Sequence, residues 1–62
     1  MSIRKVTCLD GTSYRIGENL STGQVKEISV YFLAGQKVEF LVKTTHNTIH
    51  IPYHAVLLYI EE

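Results

Sequence analysis

Sixty-two residues with six basic and six acidic side chains carry no formal net charge, which excludes a general electrostatic attraction for polyanions. A chain of this size buries only about 60% of its unfolded surface, so it draws on a disulfide, a metal or association for stability, and the single cysteine, Cys8, excludes an internal disulfide. One cysteine fits a reducing compartment, no apolar run reaches a signal-peptide core or the roughly 20 residues of a membrane span, and the expectation is one cytoplasmic domain over residues 1–62.

Ile3 to Leu9 is rich in β-formers and stops at Asp10-Gly11, a dipeptide that favours a tight hairpin turn because both central residues of a type I′ turn need positive φ. Thr12 to Ile16 is the expected partner strand. Residues 17–23 hold Gly17, Asn19, Ser21 and Gly23 and read as a loop. Gln24 to Leu33 and Lys37 to Thr44 form a second hairpin around Ala34-Gly35-Gln36. Alternation supports both strands: Ile28, Val30 and Phe32 share one face of the first, and Val38, Phe40 and Val42 share one face of the second with Glu39 and Lys43 opposite. Thr45-His46-Asn47 is a turn, Thr48 to Ile51 a short strand, and Pro52 ends it for want of an N–H. A 3₁₀ turn through Pro52 to His54 leads into a last strand, Val56 to Glu61. The fold class is therefore all-β: a small, strongly bent antiparallel sheet or partly open barrel of five to six short strands, SH3/Sm-like, with no major helix.

Val25, Tyr31, Leu33, Leu41, Leu57 and Tyr59 fall on the second face of their strands. A chain this short does not bury both faces, so either a barrel closes over the surplus or edge strands pair between copies. A homo-oligomer is the expected solution, with Tyr31, Leu33, Leu41 and Tyr59 as its interface.

His46, His50 and His54 recur at intervals of four. On a strand such residues share a face but stand about 13 Å apart, and Pro52 breaks the helix that would bring His50 and His54 together. No Cys-x-x-Cys or helical His-x-x-x-His pair is present, so no metal and no cofactor is expected, and His46 and His50 read as strand histidines. Catalysis is not expected either. Cys8, His54 and Asp10 have no spacing that joins a nucleophile to a base and an orienting acid; Cys8 reads as a small core residue, and each glycine is accounted for by a turn.

Ile51-Pro52-Tyr53-His54-Ala55-Val56 resembles the second motif of the Sm-like family, above all its bacterial Hfq branch, where a short strand ends in a turn carrying Lys-His-Ala-Ile before the final strand. His54, Ala55 and Val56 match, and Tyr53 stands where the family has lysine. Val6 to Gly11 resembles the opening strand of the family's first motif, and Gly23-Gln24-Val25-Lys26 its glycine-started second strand. The loop at residues 17–23 has no counterpart there. The resemblance implies a ring of protomers joined edge to edge, with the turn at His54 lining a pore that binds single-stranded RNA. Tyr53 would then stack a base, His54 would stack or donate to one, and Lys43 would neutralise phosphate; a repeated site raises affinity through effective concentration. The rival expectation is an assembly module that binds itself or another protein through Tyr31, Leu33, Leu41 and Tyr59 and touches no nucleic acid.

Overall fold

A computed structural model of the chain describes residues 2–62. Seven strands and one 3₁₀ turn follow in order: β1 (Ile3–Cys8), β2 (Ser13–Arg15), β3 (Asn19–Leu20), β4 (Gly23–Leu33), β5 (Gln36–Thr44), β6 (Thr48–Pro52), the turn Tyr53–Ala55, and β7 (Val56–Glu61). They form two sheets, a three-stranded one in the order β2-β1-β7 and a four-stranded one in the order β3-β4-β5-β6. Every pairing is antiparallel. The expected all-β class holds, but the strands divide between two sheets that do not close into a barrel, and residues 17–23, read as loop, contribute the two-residue strand β3. No helix among the described residues is long and apolar enough to cross a membrane.

Turn chemistry sets the connections. The first hairpin does turn at Asp10-Gly11, but not as a type I′ turn: only Gly11 there has a positive φ, 94°, and its N–H bonds the Cys8 carbonyl at 3.0 Å, while the Thr12 N–H donates to Asp10 Oδ1 at 2.9 Å. That second bond holds the Asp10 carboxyl below the usual carboxylate range. Between β4 and β5, Ala34 and Gly35 lie at φ 54° and 78°, the two positive values of a type I′ turn. After β6, Pro52 stops the ladder and the Val56 N–H closes the 3₁₀ turn on the Tyr53 carbonyl.

The core sits between the sheets and consists of Ile3, Val6, Cys8, Val25, Ile28, Phe40, Val42 and Ile51. Cys8 is where the sequence puts it, and desolvation, then the charge of Asp10, pushes its thiol up. Four one-residue slips in register shape the rest: Arg4 and Leu57 are the extra residues in the β1–β7 ladder, Lys26 and Val38 in the β4–β5 ladder. Each slip moves the residues beyond it to the other face. Lys26 thereby brings Val25, expected on the second face, into the core at 0% exposure, and Val38, expected inside, stands 40% exposed.

Candidate functional site

β4, β5 and β6 each present one face to the core. On the opposite face, cross-strand neighbours run in rows: Glu27, Lys43 and Thr48; then Ser29, Leu41 and His50; then Tyr31, Glu39 and Pro52. Lys43 belongs to this outer face, where its Nζ lies 3.4 Å from Glu27 Oε1. The β6 end that carries Tyr53 and His54 is opposite Glu39, four residues and about 13 Å along the strand from Lys43. The structure does not bring Lys43 to the turn.

Lys37 takes that place instead. The Val38 bulge sets Lys37 opposite Phe32, and since β4 is regular there, Lys37 shares the face of Phe32, Val30 and Phe40. Its Nζ donates a hydrogen bond to the Tyr59 hydroxyl at 3.1 Å and lies 5.5 Å from the centre of the Tyr59 ring and 5.8 Å from that of Tyr53. The Tyr59 hydrogen bond first, then the charges of Tyr59, Tyr53 and Glu61, raise the Lys37 pKa above its ordinary value, so it is an ammonium at neutral pH.

The two tyrosines are fixed by one buried ring. Phe40, wholly buried, stacks on Tyr53 at 5.7 Å between centroids and 4° between planes, and meets Tyr59 at 5.1 Å and 56°. Tyr59 pairs with Val6 on the core side of β7, while Tyr53 remains half-exposed on the 3₁₀ turn. The Leu57 slip displaces β7 locally, and a cleft of about 300 Å³ opens there, lined by Tyr53, Val56, Leu57, Leu58 and Tyr59. Two bulges in two different sheets thus lie at one place, one setting a cation beside the tyrosines and the other lining the hollow next to them.

The expected interface set divides. Tyr31, Leu33 and Leu41 lie on the outer face of the β4–β5 hairpin, the first two exposed and Leu41 half-buried, whereas Tyr59 points to the core side of the other sheet. On β7 the exposed apolar residues are Leu57, Leu58 and Ile60. Sequence reasoning missed Lys37 and Phe40 as parts of a site, because alternation counted without the bulge puts Lys37 on the outer face with Glu39. His54 is exposed on the 3₁₀ turn, His46 on the turn before β6, and His50 on the outer face with Nδ1 2.9 Å from Glu39 Oε1. Among the described residues no three His, Cys, Asp or Glu side chains gather in a metal-binding group.

Comparison with protein-family models, with curated proteins and with solved structures finds no match.

Proposed function

We propose that the protein is a non-enzymatic interaction module that associates with copies of itself through open strand edges. One observation carries this reading. Among the described residues β7 pairs only with β1, on one side, and along it Leu57, Leu58 and Ile60 stand 60, 48 and 42% exposed. An edge strand with free backbone groups and apolar side chains is a template for another strand unless something blunts it, and the last charges of β7 come only at Glu61. β7 is the final strand and follows the 3₁₀ turn at the end of β6, so its free side is open to a strand of another copy. Light scattering on the eluting peak tests the reading. A mass above that of one 7.1 kDa chain at micromolar concentration is expected, and a monomer at every concentration contradicts it.

Single-stranded RNA binding is the second reading, and the Lys37 geometry favours it. A half-exposed Tyr53 ring beside an ammonium offers a base a stacking surface and its phosphate a counter-charge, with His54 on the same turn and Lys37 in the role first given to Lys43. Titration of a labelled oligonucleotide checks this. Loss of binding in Lys37→Ala and His54→Ala, with Lys43→Ala unchanged, is the expected pattern; binding that none of the three alters removes RNA from the account.

A further inference from the structure

The open edge of β7 and the cation beside it are the two halves of one contact. We infer that two copies of the chain pair β7 to β7, antiparallel across a two-fold axis at Tyr59, with Lys37 of each copy facing Glu61 of the partner subunit. The inference rests on the self-association reading and names its partner and its register.

Among the described residues the free strand sides are β2 and β7 in one sheet, and β3, β6 and residues 26–33 of β4 in the other. β2 and β3 are three and two residues long, and the free side of β4 starts with Lys26 and Glu27 and shares a cleft with Ser2, Ile3 and Arg4 of the other sheet. β6 ends in Pro52 and turns Thr48 and His50 outward, so it is short, polar and lacks one donor, all features that blunt an edge. β7 carries two exposed leucines and an exposed isoleucine.

The register comes from symmetry. Across a two-fold axis residue i faces j and j faces i, and opposed residues of antiparallel strands point to the same side of the sheet. Past the Leu57 bulge the regular part of β7 is Leu58 to Glu61, with Leu58 and Ile60 on the face of Thr7 and Lys5, and Tyr59 and Glu61 on the face of Val6 and Ile3. Centring the axis on Tyr59 sets Leu58 against Ile60 of the partner subunit, twice, and so covers two of the three exposed apolar side chains. Centring it on Leu58 would instead oppose Glu61 to Ala55, where the 3₁₀ turn has ended the strand.

Charge completes the match. With the axis at Tyr59, Glu61 of the partner subunit is the diagonal neighbour of Tyr59 on the core-side face, and Lys37 is already bonded to the Tyr59 hydroxyl there. Among the described residues neither Lys37 nor Glu61 forms an ion pair within 4 Å, whereas Lys43, Arg4 and His50 each have a carboxylate; the chain's own Glu61 acts on Lys37 only from beyond that distance. The bulge at Val38 that aims Lys37 toward Tyr59 finds its use in this contact.

Charge exchange between two variants is the test. The wild type is expected to run as a dimer. Lys37→Glu alone and Glu61→Lys alone each set like charges together twice per dimer, and each is expected to weaken dimerisation about tenfold or more at low salt. An equimolar mixture is expected to recover wild-type affinity, because both cross-contacts become Glu with Lys while nothing within either chain has changed. That last point separates the contact from a folding defect. A mixture no tighter than its components, or a wild-type ring of more than two copies, overturns the β7 pairing and leaves self-association standing. A wild type that is monomeric at every concentration overturns both.

Discussion

Lys37 Nζ donates a hydrogen bond to the Tyr59 hydroxyl at 3.1 Å, tying the four-stranded sheet to the three-stranded one across 22 residues of sequence. The same ammonium rests against the rings of Tyr59 and Tyr53. It is the polar clasp of a seam whose interior is otherwise Phe40 between two tyrosines.

The clasp has a pH signature. The pKa of Lys37 is raised in the folded chain, so its contribution to stability is fully present below the unfolded lysine value of about 10.4 and is lost as pH rises through the higher folded value. Lys37→Met is expected to lower the urea midpoint at neutral pH, and the difference from wild type is expected to shrink as pH rises through the raised Lys37 value. A difference that stays constant across that range would place the contribution of Lys37 in its methylene packing.

Gly23 opens β4 at φ +128°, and a Cβ there would collide with the Thr45 hydroxyl. That hydroxyl accepts the Gln24 N–H at 3.2 Å, and the Thr45 N–H bonds the Gln24 carbonyl at 3.0 Å. Gly23→Ala therefore combines an unfavourable backbone conformation with a displaced hydrogen-bond partner. A loss of about 1–3 kcal/mol by urea titration is expected, and a neutral result would mean that the Thr45 turn moves aside freely.

Ala34 is the reverse case. It holds φ 54° without being glycine, at a cost of roughly 1 kcal/mol. Asparagine tolerates this region and favours the first position of a type I′ turn. Ala34→Asn is expected to stabilise the chain by about 0.5–1 kcal/mol, read as a higher thermal midpoint with unchanged circular dichroism.

Most of the elements are legible in the chain, and the site is not. Asp10-Gly11, the Ile28–Phe32 alternation, the stop at Pro52 and the turn after it follow from propensities that act within a few residues, and the structure has them. Faces are a longer-range matter. A one-residue bulge at Arg4, Lys26, Val38 or Leu57 inverts inside and outside for everything beyond it, and no residue type at those positions announces it. Counting by twos from Phe40 therefore puts Lys37 outside and Val38 inside, and counting along β7 leaves Tyr59 as surplus when it packs on Phe40. The division into two sheets is equally hidden, since it depends on which strands β1 joins.

Leu58 offers the most direct test of edge-to-edge association, because it stands 48% exposed on the open strand and lies outside the core. The measurement is mass by light scattering over a concentration series, for wild type and for Leu58→Glu. The account predicts an assembly for the wild type and a 7.1 kDa monomer for the variant, with the variant's folding free energy within about 0.5 kcal/mol of wild type. A wild type that never exceeds one chain, or a folded variant that assembles as the wild type does, contradicts it.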